Sequence, residues 1–368
     1  MPVSRRWLAA LLVLVAPAVA AADAPDAPSL ADAGLYSIRD GDRLGLIDRA
    51  GRVVLAPEFE ELKLGDGLVM ARKGHRVAYF DPAGSMVIKP QDQATQPFSE
   101  GLVPVPAGKG MGYADKSLAV VIAGPYAQPQ PFSGGLAAVA VSDDWGVPKF
   151  GYVDRTGRLA IPAKYDKAGP FVDGVARVEE NKRPRMIDPG GRDITPPGVD
   201  FVGVTREGMT RVWIGRAQGF ADAQGRLAVP AVYDGAREFQ EGLAAVYANR
   251  KYGYVDRTGK VVVAPRFEQA ESFSDGLALV REDGKPAFID RSGNVVVRPD
   301  AERAFPFSDG RAVFVKDRKY GFIDKAGSVV VPATYSYARP YDKGLAFVLD
   351  KGRSLYVDAK GNVVWSKP

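Results

Sequence analysis

The chain has 368 residues, contains no cysteine and has a single histidine, His75. Without cysteine there is no disulfide, thiolate nucleophile or Cys/His zinc site, and one histidine leaves almost no room for histidine-based acid–base catalysis. The formal net charge of +5 is too small to indicate a dedicated nucleic-acid-binding protein.

Residues 1–20 are typical of a cleavable secretory signal, because two arginines precede a short apolar run that ends in small residues. The arginine pair weakly resembles a twin-arginine signal, but the residues after it favour the general secretory route, with cleavage after Ala20 or Ala22. An Ala/Pro-rich linker follows over residues 21–33. No segment is long and apolar enough to predict a membrane span. We therefore expect the mature protein in the periplasm or outside the cell.

Residues 34–368 repeat with a period of 34 residues and form one array of ten units. The first marker of the repeat is the aspartate of blocks such as Tyr-Gly-Tyr-Val-Asp. It recurs at Asp48, Asp81, Asp115, Asp154, Asp188, Asp222, Asp256, Asp290, Asp324 and Asp358. The second marker is the glycine of blocks such as Phe-Ser-Asp-Gly-Leu-Ala, which we take as the start of each unit. It recurs at Gly34, Gly67, Gly101, Gly135, Gly174, Gly208, Gly242, Gly276, Gly310 and Gly344.

Each unit is predicted to contain three short strands and a loop. In one unit the strands cover residues 242–246, 252–256 and 261–263, because runs rich in valine and tyrosine between Gly, Asp and Asn are typical of strands. No stretch has a sustained helical period. The predicted fold class is therefore all-β, a tandem repeat of about ten 34-residue β-hairpin units.

A single unit is too small to bury its own apolar face, so neighbouring units must stack into one continuous core. Aromatic side chains at two repeated positions are expected to build it. Eleven residues after the aspartate they are Phe59, Tyr126, Tyr165, Tyr233, Phe267 and Tyr335. Seventeen residues after the aspartate they are Phe98, Phe132, Phe171, Phe239, Phe273, Phe307 and Tyr341.

The repeated pattern is an aromatic residue, Gly, Tyr or Phe, Val or Ile, Asp-x-x-Gly, two valines and a proline, followed by Phe-Ser-(Asp/Glu)-Gly-Leu-Ala. This pattern resembles the bacterial WG-repeat family and covers residues 34–368. The chain has Tyr, Phe, Leu, Met or Gln where that family often has tryptophan, and its one Trp-Gly pair, Trp145-Gly146, is out of register. The resemblance implies a β-repeat protein with no assigned catalytic residues.

The units can assemble in two ways, as an open array or as a closed ring. Ten units exceed the usual four to eight propeller blades, and three strands fall short of the usual four per blade. We therefore favour an open solenoid or superhelix, with a closed β-propeller as the alternative. One step of 39 residues predicts an enlarged hairpin turn at residues 141–149. The enlarged turn is also compatible with a boundary between a three-unit module and a seven-unit module. The seven units could then close as a propeller by themselves.

The ten repeated aspartates are a structural rather than a catalytic feature. An aspartate before x-x-Gly can accept hydrogen bonds from backbone N–H groups two residues on, while the glycine adopts a left-handed conformation. Catalytic carboxylates need distinct environments, whereas these ten share one local sequence. No calcium loop of the D-x-D-x-D-G type is present.

Two rows of charged residues follow the repeat. The residue after the aspartate is basic at Arg49, Lys116, Arg155, Arg257, Arg291 and Lys325. The residue before the unit's glycine is acidic at Asp66, Glu100, Asp173, Glu207, Glu241, Asp275 and Asp309. These rows either neutralise each other between neighbouring units or stay apart and solvated, and we favour the solvated arrangement because exposed pairs contribute at most about 1 kcal/mol.

Candidate contact residues are those that break the repeat or form the basic row. Trp145 lies in the enlarged turn and Trp213 lies in the most divergent unit. Together with the basic row they give a predicted contact surface of Trp145, Trp213, Arg155, Arg257, Arg291 and Lys325. No catalytic residue, cofactor site or metal site is predicted.

These features favour a non-catalytic secreted or periplasmic repeat protein that binds a protein or an anionic or glycan polymer of the cell envelope. An enzyme with its site in a central pocket and a purely structural spacer are the alternatives. The enzyme requires a convergent, unrepeated polar cluster, and the sequence shows none.

Overall fold

The computed structural model describes residues 28–92, 94, 96–142 and 147–367; the predicted signal segment 1–20 lies outside them. The described chain folds into ten antiparallel sheets of three or four strands, one for each sequence unit, which we call blades 1 to 10. A 3-10 turn, Leu30–Ala33, precedes the first strand and is capped by Ser29.

Blades 1 to 5 contain sixteen strands in simple up-and-down order. They are β1 (Leu35–Asp40), β2 (Arg43–Asp48) and β3 (Val53–Phe59); β4 (Glu61–Gly65), β5 (Leu68–Lys73), β6 (Arg76–Phe80) and β7 (Met86–Gln91); β8 (Val103–Ala107), β9 (Gly110–Ala114) and β10 (Val120–Tyr126); β11 (Leu136–Ser142), β12 (Pro148–Asp154) and β13 (Leu159–Tyr165); β14 (Lys167–Val172), β15 (Val175–Glu180) and β16 (Arg183–Ile187).

Blades 6 to 10 each have four strands in the same order. They are β17 (Phe201–Arg206), β18 (Met209–Ile214), β19 (Ala217–Asp222) and β20 (Leu227–Tyr233); β21 (Gly235–Ala236), β22 (Leu243–Ala248), β23 (Lys251–Asp256) and β24 (Val261–Phe267); β25 (Gln269–Ser274), β26 (Leu277–Glu282), β27 (Lys285–Ile289) and β28 (Val295–Val297); β29 (Arg303–Ala304), β30 (Arg311–Lys316), β31 (Lys319–Asp324) and β32 (Val329–Tyr335); β33 (Tyr337–Ala338), β34 (Leu345–Asp350), β35 (Arg353–Asp358) and β36 (Val363–Ser366).

The two ends of the array meet, so the ten blades form a closed β-propeller. The Tyr36 hydroxyl of blade 1 donates to the Lys343 carbonyl of blade 10 at 2.7 Å, and the Tyr356 hydroxyl donates back to the Ser37 carbonyl at 2.7 Å. Apolar side chains from both blades share one buried cluster that includes Ile47. The predicted open solenoid is therefore wrong. The repeat encodes contacts between neighbours, whereas closure depends on contacts between residues about three hundred positions apart.

Most blades have one strand more than the three that we predicted. Six of the ten sheets are four-stranded, because the segment just before the repeat's glycine, which we predicted as a loop, forms a further strand such as β25. In blades 3 and 4 this segment makes only isolated bridges, as between Ser99 and Leu102. The segment is rich in Pro, Ser and Gly, which have low strand propensity, so propensity does not predict that it pairs as a strand.

The added strand lies on the inner side of the ring and the last strand of each blade lies on the outer side. Of the sixteen exposed large apolar side chains among the described residues, thirteen lie on last strands, for example Val232 at 67% exposure. Successive blades are joined instead at the turns that follow the added strands, as described below. Because blades in a ring approach most closely near its axis, these turns mark the inner side.

A second repeated glycine, the one in the Tyr-Gly-Tyr-Val-Asp block, faces the repeated proline of the neighbouring outer strand. In blade 4 the pairing shifts register between Phe150 and Tyr152, where β12 meets β13. A Cβ atom placed on Gly151 would lie only 2.6 Å from the Ile161 carbonyl oxygen. The next residue in β13, Pro162, has no N–H to leave unpaired and so suits an edge strand. This close approach explains why glycine recurs at this position of the repeat.

Aromatic pairs fill the space between blades, as predicted. Tyr254 of blade 7 meets Phe273 of blade 8 with ring centroids 5.0 Å apart, and its hydroxyl donates to the Glu271 carbonyl at 2.8 Å. The set seventeen residues after the aspartate is fully buried, which confirms its predicted core role. In the set at eleven residues, Phe59 and Tyr335 are only partly buried. The core is therefore a ring of inter-blade contacts.

Candidate binding surface

The ten repeated aspartates form the turns between the third and outer strands, which confirms their predicted structural role. In blade 7 the Asp256 Oδ1 accepts the backbone N–H groups of Thr258 at 2.9 Å and of Lys260 at 3.1 Å. Each of the ten aspartates accepts the N–H four residues on. Hydrogen bonds, above all from the Thr258 hydroxyl, hold the pKa of Asp256 below its ordinary value against the opposing effect of partial burial.

Replacing Asp256 by alanine is expected to lower the free energy of unfolding by about 1 kcal/mol, because it removes two backbone hydrogen bonds at a largely exposed turn. Urea unfolding measures the loss. Asp234→Ala is the matched control, since this exposed carboxylate accepts no hydrogen bond from the described residues and its loss should be neutral within about 0.5 kcal/mol. Equal losses in the two variants would contradict the turn-forming role.

The acidic row connects consecutive blades. Each of its seven carboxylates accepts the backbone N–H of the glycine one unit further on. For example, the Glu207 Oε2 lies 2.8 Å from the Gly242 nitrogen. Burial raises the pKa of Glu207, but hydrogen bonds from Arg257 and from the backbone N–H groups outweigh it and leave the pKa lowered. These bonds lie on one face of the ring, which we call the turn face.

Part of the basic row pairs with the acidic row instead of staying solvated, so our solvated interpretation is wrong there. Arg257 donates to the Glu207 carboxylate at 2.8 Å, and Arg155 donates to the Glu100 carbonyl at 2.7 Å. Lys116 donates to the Asp66 carbonyl at 2.9 Å. The rows meet because the turn after the inner strand and the Asp-x-x-Gly turn lie on the same face, an arrangement that depends on the unpredicted inner strand.

The structure places the predicted contact residues on different faces. Arg155, Arg257, Arg291 and Lys325 all belong to Asp-x-x-Gly turns and lie on the turn face, where Arg291 and Lys325 are exposed. Trp145 lies outside the described residues. The sixth residue, Trp213, is next to the hairpin between β18 and β19, on the opposite face, which we call the hairpin face.

Trp213 forms a preorganised aromatic pair with Phe201 of the inner strand β17. The rings are nearly perpendicular, at 88°, with centroids 4.9 Å apart, and Phe201 is 50% exposed. The two residues are direct cross-strand partners. Below them, the buried hydroxyls of Thr205 and Thr210 share a hydrogen bond of 2.7 Å that fixes the pairing of the two strands. Sequence reasoning missed Phe201 because its strand was predicted as loop.

Two arginines hold this aromatic pair in place. The Arg211 guanidinium lies 4.7 Å from the Trp213 ring centroid, donates to the Ala236 carbonyl and pairs with Glu238 at 2.8 Å. The Arg177 guanidinium lies 5.8 Å from the Phe201 ring centroid and donates to the Val202 carbonyl at 3.1 Å. Because both guanidiniums already have partners within the protein, they act here as rigid supports for the rings.

Further aromatic side chains continue along the hairpin face through blades 7, 9 and 10. Tyr247 and Tyr252 of blade 7 have centroids 4.7 Å apart, and Tyr320 contacts Phe305 at 6.5 Å and Tyr337 at 5.6 Å. Tyr337 is 38% exposed and, like Phe201, begins an inner strand. We call the combined set the aromatic arc. It consists of Phe201, Trp213, Tyr247, Tyr252, Phe305, Tyr320 and Tyr337.

The arc covers one side of the ring. At the positions of Phe201 and Trp213, blade 5 has Lys167 and Glu179, which pair with each other at 3.1 Å. Blade 2 has Glu60 and Arg72 there, paired at 3.0 Å. Blade 8, between the rings of blades 7 and 9, has Gln269 and Arg281 at these positions. The arc thus offers partly exposed ring faces on blades 6, 7, 9 and 10, a surface suited to flat or apolar ligand faces and to stacking.

The fold and this surface define a ten-bladed β-propeller with an aromatic face, an architecture that suits a binding or structural module. The chain belongs to the family of proteins with WG-containing repeats, whose model matches more than half of it. The matched segments are residues 45–74, 150–183, 219–252, 252–285, 287–320 and 320–353. The predicted family resemblance is therefore confirmed.

Among solved structures, one similar chain is described as a eukaryotic initiation factor. It is 11% identical with a TM-score of 0.52, and the match covers 91% of this chain and 96% of that one. The dihydro-heme d1 dehydrogenase NirN is 13% identical with a TM-score of 0.39, covering 94% of this chain and 75% of NirN. The first likeness supports the propeller fold alone. No curated protein matches the sequence.

Two features are absent from the described part of the chain. None of its helices has the length and hydropathy needed to cross a membrane. Within the same residues, no three His, Cys, Asp or Glu side chains are grouped so that they could hold a metal ion.

Proposed function

We propose that this protein is an exported, non-catalytic binding module that holds a glycan polymer of the cell envelope along its aromatic arc. The observation that carries the proposal is Phe201, a half-exposed phenylalanine on an inner strand next to Trp213. Exposed apolar side chains elsewhere in the described chain lie almost entirely on outer strands. Half of the Phe201 side chain stays accessible beside its contacts with Trp213 and Arg177, so packing within the protein does not account for the exposed half.

A glycan suits the arc better than a protein partner does. Sugar rings present apolar C–H faces that stack on aromatic planes, and a linear chain of sugars can follow rings placed on blades 6, 7, 9 and 10. Of the two arginines beside the first pair, Arg211 is paired with Glu238, and both donate hydrogen bonds to backbone carbonyls. Rigid rings lose little conformational entropy on binding, so each contact retains more of its free energy.

Cosedimentation with purified peptidoglycan sacculi and with insoluble polysaccharides tests the proposal. Phe201→Ala is expected to weaken binding about tenfold, since one stacking contact is worth roughly 1 kcal/mol or more. Val232→Ala is the matched control, because it removes an exposed apolar side chain from the outer strand of the same blade. Its binding should equal that of the unchanged protein.

Trp213 gives a second, direct readout. Binding of soluble glycan fragments should change tryptophan fluorescence, and Trp213→Phe should remove that change while preserving the aromatic pair and the melting temperature. Retention of a partner after the glycans have been digested, or equal binding by Phe201→Ala and Val232→Ala, would contradict the proposal. Turnover of the glycan by the intact protein would favour the enzyme alternative.

A further inference from the structure

A cavity of about 230 Å³ lies at the seam where blade 10 meets blade 1. Within the described residues, blade 1 starts with the 3-10 turn Leu30–Ala33 instead of an inner strand, and no described strand pairs with the inner edge of β1. The seam is almost opposite blade 6 in a ring of ten, so the cavity is separate from the pair formed by Phe201 and Trp213. Its volume is below the roughly 300–1,000 Å³ of sites for drug-sized ligands, which limits it to a small occupant.

Aromatic rings form the apolar wall of this seam cavity. Tyr356 contacts both Tyr36 and Phe347 with ring centroids 5.6 Å apart. The hydroxyls of Tyr36 and Tyr356 are already bonded to backbone carbonyls across the seam. Tyr36 and Tyr356 are only 4% and 7% exposed, so the partly buried Phe347 is the ring whose face can meet the C–H face of a sugar ring.

Arg339 supplies the positive group of the seam cavity. Its guanidinium lies 5.3 Å from the Phe347 ring centroid, and no carboxylate among the described residues is within salt-bridge distance of it. A guanidinium supported by a ring but without an anionic partner can bind a carboxylate in the bidentate geometry that arginine favours.

Asp342 supplies the negative group, at a position that varies between blades and is occupied elsewhere by Asp32, Gly65, Val172, Arg206, Gln240 or a serine. In four junctions the equivalent residue is a serine whose hydroxyl donates to a carbonyl of the next blade, as Ser308 does to Tyr341 at 2.7 Å. An ionised carboxylate has no proton to donate, so Asp342 cannot make the bond that these four serines make. Asp342 is exposed, but desolvation and the nearby carboxylates of Asp309 and Asp32 outweigh the opposing effects of Lys343 and Ser29 and raise its pKa. A ligand hydroxyl in the cavity can donate to this exposed carboxylate.

We propose that the seam cavity binds one pyranose ring that carries a carboxylate, that is, a sugar acid. The ring's C–H face packs on Phe347, its carboxylate pairs with Arg339, and one of its hydroxyls donates to Asp342. A ligand in this position contacts both ends of the chain, and so it stabilises the closed ring by mass action. This site does not depend on glycan binding by the aromatic arc.

Thermal unfolding and titration calorimetry with D-glucuronate and D-galacturonate test the site. At least one of them is expected to raise the melting temperature. D-glucose, which lacks the carboxylate, and cyclohexanecarboxylate, which lacks the hydroxyls, are expected to bind at least about tenfold more weakly, since each loses a charge-assisted or compensating hydrogen bond. A stronger effect of L-phenylalanine would indicate an amino-acid site and overturn the proposal.

Three variants complete the experiment. Arg339→Gln should lower the affinity for the sugar acid at least about tenfold, because it removes the charged partner of the carboxylate. Arg303→Gln is the matched control, since Arg303 also lies near an aromatic ring, at 5.9 Å from the Phe305 centroid, but does not line the cavity. Asp342→Ser, which introduces the serine of other junctions, should keep the ring closed and weaken binding. Equal affinity in Arg339→Gln and Arg303→Gln, or no binding of either sugar acid, would refute the site, whatever the result for the arc.

Discussion

Replacing Phe273 by alanine is expected to lower the free energy of unfolding by about 3–5 kcal/mol, the range for removing a fully buried phenylalanine. Phe273 is 0% exposed and lies in the cluster that joins blades 7 and 8, where its ring meets Tyr254. The substitution removes apolar area from both blades and leaves a cavity between them. Backbone hydrogen bonds hold the strands on each side in place, so the cavity cannot collapse fully.

Urea unfolding followed by circular dichroism measures this loss. The control is Val262→Ala, which removes an exposed side chain from the outer strand of blade 7 and should change the free energy by no more than about 0.5 kcal/mol. A closed ring has no free end at which unfolding can begin at little cost. We therefore expect one cooperative transition at lower urea. A separate early transition for blades 7 and 8, or a loss below about 1 kcal/mol, would contradict a core built from inter-blade contacts.

The sequence was most informative about what repeats. The period of 34 residues, the aspartate turns and the buried aromatic set all follow from contacts that are local or lie between neighbours. Phe273 illustrates this, because ten copies of one pattern identify an aromatic residue as core without any long-range information. The family resemblance followed from the same repeated residues.

Closure and the inner strand could not be predicted in the same way. Closure depends on single contacts, such as that of Tyr36 with Lys343, which occur once in the molecule. Such contacts are not part of the 34-residue pattern in the sequence. The inner strand is short and contains Pro, Ser and Gly, so propensity points to a loop. Without that strand the two charged rows could not be placed on one face, and the acidic row looked solvated.

The candidate surface was predicted only in part for the same reason. Trp213 was identified because it breaks the repeat, a signal available in sequence. Its partner Phe201 is recognisable only when β17 is paired with β18. Arg155 and Arg257 looked like contact residues because charge alone does not show whether a partner lies across a blade junction.

Acidification from about pH 5 to about pH 2.5 is expected to lower the melting temperature by on the order of 10 °C. Seven of the turn aspartates have a pKa below the ordinary value, and hydrogen bonds, first that of Thr156, lower the pKa of Asp154 to about 2. In the unfolded chain the same groups titrate near pH 3.9. Between these values the unfolded state binds more protons than the folded state, so stability is complete above about pH 4 and falls as the pH approaches 2.

Asp342 acts in the opposite direction, since its raised pKa means that acid favours the folded form there, but it is one group against seven. The matched variant is Asp154→Asn, which keeps an oxygen acceptor for the Thr156 and Arg158 N–H groups and removes the titration. It should be less stable than the unchanged protein at pH 7, and the difference should shrink as the pH falls to 2.5. A difference that stays constant with pH would show that the Asp154 charge adds nothing to the turn. A melting temperature that rises in acid would show that the turn aspartates do not set the acid stability of the ring.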